Sequence, residues 1–237
     1  MPDRPPTSAP ELGSLTWLPA ADRPDLLGAP VAAALPALTG PVWVAAIDED
    51  LADTAAFTDA YGVPPEASAN CVVVAGRRAG ETALAACLVL ATTRADVNGL
   101  VRRSLGARKA SFAPQDVAVT ATGMEYGGIT PVGLPATWPL LIDAAVAAAE
   151  FVVIGSGIRG SKLAVPGSVL AALPGAVVLE ELGRPVPSEP VAETTAAAPR
   201  PNRAPDDSDV GWGERLGDPG DDDRRYLEDR PPHWGSD

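Results

Sequence analysis

Short apolar runs, rich in Val, Ile and Leu, alternate with turn residues between positions 42 and 183. Their lengths suit strands and short helices rather than long amphipathic helices. Leu26–Leu38 predicts a short helix starting near Pro30, and Val42–Ile47 a strand. Asp48–Tyr61 predicts a helix with Asp48 as N-cap, acids in its first turn and Gly62 as its stop. Cys71–Ala75 and Thr82–Ala91 flank Gly76-Arg77-Arg78-Ala79-Gly80 and read as a hairpin. Asp96–Leu105 reads as a helix capped by Asp96 and closed by Gly106, and Pro114–Ala121 as a second one ending near Gly123. Further on come a strand at Leu140–Ile142, a helical turn at Ala144–Ala149, and strands at Phe151–Ile154 and Lys162–Val165. A Pro-led helix at Pro166–Leu173 and a strand at Ala176–Leu179 complete the pattern. Short strands mixed with short helices predict an α+β or mixed α/β domain.

The prolines mark its limits. Nine of the 26 fall in residues 1–41, nine in 184–237 and eight in the 142 residues between. The expected organisation is a disordered N-terminus (1–14), one domain (15–183, with 15–41 as an N-terminal extension) and a disordered acidic tail (184–237). That tail carries 13 acids and seven arginines, so −6 of the net charge of −13 lies there. Trp212 and Trp234 interrupt it and are candidate anchors for a protein partner.

An acidic chain repels nucleic acid at long range, which counts against a general DNA- or RNA-binding role. It leaves room for local basic groups: Arg102, Arg103, Arg108 and Lys109 are close in sequence, as are Arg159 and Lys162. Cys71 and Cys87, the two cysteines, sit in apolar runs and read as free thiols of a reducing compartment. No apolar stretch is long enough to span a bilayer without Pro, Gly or charge, so the expected location is cytoplasmic, away from membranes.

Several chemistries are absent. The single histidine, His233, lies in the tail, so the domain has no Ser-His-Asp or Cys-His nucleophile system. Two cysteines 16 apart cannot complete a zinc site, and no metal or cofactor is expected. Gly155-Ser156-Gly157-Ile158-Arg159-Gly160 has the G-x-G-x-x-G form, but a strand-like segment follows it where dinucleotide binding needs a helix. Asp48, Glu49 and Asp50 fit helix capping better than metal binding. Catalysis in this chain therefore has to rely on backbone groups, hydroxyls and a held water, which suits an activated ester.

The run Tyr126-Gly127-Gly128-Ile129-Thr130-Pro131-Val132-Gly133-Leu134-Pro135 offers such a backbone site. Two adjacent glycines allow close approach to main-chain N–H and C=O groups, and the prolines fix the exits. Asn70–Leu182 resembles the YbaK/ProX family of aminoacyl-tRNA deacylases and prolyl-tRNA synthetase-associated editing domains. Three segments carry the likeness: Ser68–Val74, Thr122–Gly133 with its G-x-x-x-P loop, and Val153–Gly157 leading to Lys162-Leu163. The helix Asp96–Leu105 and the following Arg108–Phe112 sit where the family has a helix and a short strand.

The resemblance implies a mixed α/β fold with a barrel-like sheet surrounded by short helices. It also implies hydrolysis of the ester at the 3′ end of a mischarged tRNA. Carried onto this chain, the catalytic positions are Gly127, Gly128 and Asn70, and the substrate-binding positions Tyr126, Thr130, Pro131, Gly155, Ser156, Gly157 and Lys162. In one respect the chain departs from the family: its early strand usually carries a functional lysine, and Asn70 stands there, followed by Cys71. Asparagine donates a hydrogen bond but carries no charge. Arg77, Arg78, Arg159 and Lys162 are the cations that could supply it instead. A deacylase, a non-catalytic binder of aminoacyl ends or small ligands, and an adaptor acting through its tail all remain open.

Overall fold

The structure, a computed structural model, describes residues 8–185. In chain order it contains β1 (Leu18–Pro19), α1 (Ala29–Ala34), β2 (Trp43–Ala46), α2 (Thr54–Tyr61), β3 (Ala69–Arg78), β4 (Glu81–Leu90) and β5 (Thr93–Ala95). There follow α3 (Arg102–Ser104), β6 (Lys109–Phe112), α4 (Gln115–Thr122), β7 (Leu140–Asp143), α5 (Ala144–Ala147) and β8 (Val152–Gly155). The last elements are β9 (Ser161–Val165), α6 (Gly167–Ala171), β10 (Ala176–Leu179) and β11 (Gly183–Pro185).

The strands form a five-stranded sheet, β10-β7-β4-β3-β6, and a four-stranded sheet, β1-β2-β9-β8, with β11 and β5 as a separate pair. A parallel bridge between Ser68 and Val153 joins the two larger sheets. The mixed α/β class and the short surrounding helices are as expected. The barrel is not closed among the described residues: each large sheet keeps two edges.

Burial explains this layering. Along β4, Ala86 and Leu88 face the main core while Ala85, Cys87 and Val89 face a second one, the two-residue period of a strand covered on both sides. The main core fills the space between the large sheets with Leu88, Ile142, Ile154 and Leu163, all 0–1% exposed. Side chains of that size contribute about 1.5–3 kcal/mol each when fully buried. Val97, Val101 and Leu182 close the second core, and Trp17, Phe57 and Val63 cover the far face of the four-stranded sheet.

Ala20, Leu27 and Val31 of the N-terminal extension belong to the main core. Leu12 and Leu15 pack with Trp17, and the Ser14 N–H donates to the Tyr61 carbonyl at 2.8 Å.

Two expected helices differ. The segment after Asp48 is a short 3-10 turn (Glu49–Leu51) followed by a separate α2. Asp53 breaks it: its backbone is extended and its carboxylate accepts the Ala55 N–H, so it caps a new helix. The expected Asp96–Leu105 helix opens as a π-helical turn (Val97–Val101), because the Asp96 carboxylate accepts from both Gly99 and Leu100 and widens the first turn. Those N–H bonds, Leu100 foremost, and nearby Arg184 hold the Asp96 carboxyl below the usual carboxylate range. The hairpin strands also run longer than expected. Ala79 and Gly80, both at positive φ, make a two-residue turn, so Gly76–Arg78 are strand residues.

Candidate functional site

A cavity of about 620 Å³ opens between the start of α2, the first half of β3 and residues of β8 and β9. Five positions singled out from sequence line it: Asn70, Tyr126, Gly127, Gly155 and Lys162. Gly128, Thr130, Pro131, Ser156 and Gly157 do not line it.

Gly128 donates its N–H to the Glu125 carbonyl (2.9 Å) and accepts from the Gly157 N–H (2.8 Å). Both of its backbone groups are therefore engaged in holding the two turns together. A Cβ on Gly128 would lie 2.5 Å from the Ile158 carbonyl oxygen, and one on Gly155 would run into the Gly128 carbonyl. The two glycine turns are seated backbone on backbone. Gly128→Val would consequently disturb the loop itself and is not a clean probe of chemistry. Gly157, at φ +89°, packs on Gly28, whose N–H donates to the Ser156 carbonyl at 2.8 Å.

The Ser156 hydroxyl is buried against the Ser161 hydroxyl at 2.7 Å, a structural bond. Thr130 is fully buried and its hydroxyl has no partner among the described residues. Pro131 lines a second, apolar cavity of about 180 Å³ with Leu134 and Trp138.

Gly127 lines the cavity at φ +86°, and its N–H has no hydrogen-bond partner among the described residues. Arg159 fixes this turn from outside. Its guanidinium donates to the carbonyls of Tyr126 (3.3 Å) and Glu49 (2.8 Å), and its N–H donates to the Glu125 carboxylate (2.7 Å). Tyr126 remains 57% exposed beside the cavity.

Lys162 reaches the cavity from β9. Its Nζ donates to the Ala52 carbonyl at 2.8 Å and lies 5.4 Å from the Phe57 ring centre. The residue is only 7% exposed. Burial lowers its pKa to about 8; Asp53 opposes that shift and Arg159 adds to it. Asn70, on β3, accepts the Thr54 hydroxyl at 2.7 Å through Oδ1, which ties the strand to the first residue of α2. Arg77 and Arg78 lie at the opposite end of β3, outside the cavity wall, and do not supply its charge.

Sequence reasoning missed Ser68 as a site residue. It lines the cavity, is 3% exposed, and its hydroxyl has no partner among the described residues. An unpaired buried hydroxyl costs about 1–3 kcal/mol. Asp53 and Thr54 were missed too, because Asp48 offered an equally good cap signal upstream.

Cys71 lines the cavity, but burial pushes its thiol far above the ordinary range, with Cys87 adding to the shift, so it is no thiolate at neutral pH. Burial likewise pushes Cys87 up to about 12. Both are free thiols. Among the described residues no three His, Cys, Asp or Glu side chains are grouped to hold a metal ion. No helix there is long and apolar enough to cross a membrane. Trp212, His233 and Trp234 lie outside the described residues.

The arrangement is a half-open cavity with one desolvated cation, an amide, an unpaired hydroxyl and a free main-chain N–H. A crystal structure of a candidate trans-editing enzyme for prolyl tRNA synthetase matches with a TM-score of 0.55 and 22% identity, covering 64% of this chain and 93% of that one. A hypothetical protein's crystal structure matches with a TM-score of 0.58 and 20% identity, covering 65% and 99%. At such identity these likenesses establish the fold. The sequence pattern described as aminoacyl-tRNA editing domain matches residues 48–173, more than half of the chain. That stretch holds both glycine turns and every side chain named in the cavity wall, and the chain belongs to the YbaK-type aminoacyl-tRNA editing domain family.

Proposed function

We propose that this domain hydrolyses the aminoacyl ester of a mischarged tRNA in trans, with the acyl group and terminal ribose in the 620 Å³ cavity. The observation that carries the reading is the place of Lys162. The early strand offers Asn70 where the family has a lysine, and β9 brings an ammonium group into the same cavity.

Water is the nucleophile in this reading, since the chain presents no histidine or thiolate there. Its oxygen attacks the ester carbonyl carbon, and the negative charge that develops on the carbonyl oxygen is met by fixed donors. The Gly127 N–H and the Lys162 ammonium are suited to that work, in a site where burial strengthens their field. The C–O bond to the ribose then breaks, the ribose oxygen takes the proton given up by the attacking water, and free amino acid and tRNA leave. Ser68 is suited to hold the water or the substrate amino group. A cavity walled by Gly127, Gly155 and other small residues favours a small acyl group such as alanyl.

A second reading, binding without hydrolysis, draws on Asn70. Its amide oxygen is already engaged in holding Thr54, so the side chain serves the scaffold. Single-turnover deacylation of a mischarged-tRNA panel, beginning with alanyl-tRNA for proline, separates the two. Hydrolysis above the spontaneous rate that is lost in Lys162→Met supports the enzyme. An inactive wild type that gains activity in Asn70→Lys makes the protein a binder.

A further inference from the structure

Residues 77–112 contain seven Lys and Arg against two Asp and Glu, a net +5 within a chain of −13. The fold gathers six of those cations at one end of the five-stranded sheet. Arg77 and Arg78 end β3, and Lys109 opens β6, the sheet's edge strand. The Arg108 N–H donates to the Arg77 carbonyl at 2.8 Å, which brings Arg108 to the same corner. Leu105 and Ala107, just after α3, pack on Gly76, which carries Arg102 and Arg103 alongside. The Arg78 guanidinium lies 3.4 Å from where a Cβ on Gly106 would sit.

Among the described residues none of the six forms an ion pair; the two pairs found are Arg23–Asp25 and Arg184–Asp96. Arg77 stands directly opposite Lys109 in the antiparallel β3–β6 ladder. Like charges facing one another across a ladder destabilise the sheet. Glu81 stands opposite Arg78 across the hairpin but makes no ion pair with it, and an edge that keeps the Arg77–Lys109 pair exposed and unneutralised has an outside use for it.

We infer that this corner binds the phosphate backbone of the tRNA whose 3′ end enters the cavity. The choice of RNA rests on the hydrolytic reading above; the electrostatic argument does not. Asn70 and Arg77 lie seven residues apart on one strand, roughly 23 Å at the rise of a β-strand. A free amino acid or nucleoside cannot touch both, whereas a tRNA stem following its single-stranded end can. Five of the six cations are arginines, whose forked guanidinium suits phosphate oxygens. The net negative charge of the rest of the protein repels RNA elsewhere and favours one orientation of approach.

The test uses the full chain, wild type and Arg77→Gln/Lys109→Gln. Equilibrium binding of uncharged tRNA across a salt series is measured beside single-turnover hydrolysis of alanyl-tRNA and of alanyl-adenosine, an ester too short to reach the corner. The variant should bind tRNA about tenfold more weakly, with a salt slope smaller by about 1–2. Its rate on alanyl-adenosine should be unchanged and its melting temperature equal or higher, since the facing like charges are gone. Unchanged tRNA affinity and slope in the folded variant would overturn the inference, and so would an equal rate loss on both esters. Salt-dependent tRNA binding that the variant loses, in a wild type hydrolysing neither ester, upholds the corner while removing the hydrolytic reading. Loss of binding to polyglutamate with tRNA binding intact would assign the corner to an acidic protein instead.

Discussion

The two ends of β3 use positive charge in opposite ways. At the cavity end one ammonium, Lys162, is 7% exposed and held by a carbonyl and a ring. At the hairpin end six cations stand without ion pairs among the described residues, all but Arg102 exposed. Water screens the second group, so it acts through number and reach and weakens with salt. Burial removes that screening from the first, so a single charge there acts strongly on its immediate surroundings, at a cost to the fold. What a lysine can do here follows from its surroundings more than from its identity.

The sharpest way to break the contrast is Lys162→Met. Hydrolysis of alanyl-tRNA should fall about 10²–10³-fold, the usual loss for one oxyanion donor. The same variant should be more stable at pH 7, on the order of 2 kcal/mol by urea denaturation, because a desolvated charge is gone. Full activity in the Lys162→Met protein would place the chemistry elsewhere in the cavity.

The seating of the cavity wall can be broken next. Gly155→Ala puts a methyl group 2.7 Å from the Ile129 carbonyl oxygen and should destabilise by about 2–3 kcal/mol. Gly127→Ala meets only the movable Arg159 guanidinium and strains one backbone angle, for about 1 kcal/mol. Equal costs in chemical denaturation would contradict the tight backbone contact described for Gly155.

pH sharpens the comparison further. Below about pH 8 the folded and unfolded chains both carry the Lys162 proton, and the burial cost is complete. Between about 8 and the ordinary 10.5 the folded protein loses the proton first, so its stability rises with pH across that window. Hydrolysis, corrected for the hydroxide background, should decline over the same range because the ammonium is the useful form. A rate that climbs instead would make the neutral amine a base. The smallest expected effect is that of Asn70→Ala, about 1 kcal/mol from the lost Thr54 bond, with hydrolysis reduced less than in Lys162→Met.

Much of this was legible from sequence where the signal is local. The β3–β4 hairpin, the stops at Gly62 and Gly123 (both left-handed) and the strand after the late glycine turn all follow from neighbouring residues. Asp48 caps the 3-10 turn and Asp53 caps α2, and the burial of Phe57 with the Thr54–Asn70 bond marks where the second helix begins. The two- and three-residue strands β1, β5 and β11 carry no periodicity and exist through their partners. In the site, Lys162 and Asn70 were both singled out. Their meeting in one cavity depends on pairing between distant strands, which spacing along the chain does not encode. The same holds for Ser68, whose missing partner is visible only in three dimensions.

The contact between Gly28 and Gly157 has a practical consequence. The stretch that matches the family begins at residue 48, yet the late turn is fastened to residue 28, and Ala20, Leu27 and Val31 fill the main core. The stretch matched by the family pattern is therefore smaller than what folds. A gene fusion that borrowed only residues 48–173 would carry the cavity's side chains without the wedge that sets their positions. Engineers wishing to graft this domain onto a synthetase should move it with its leading segment attached.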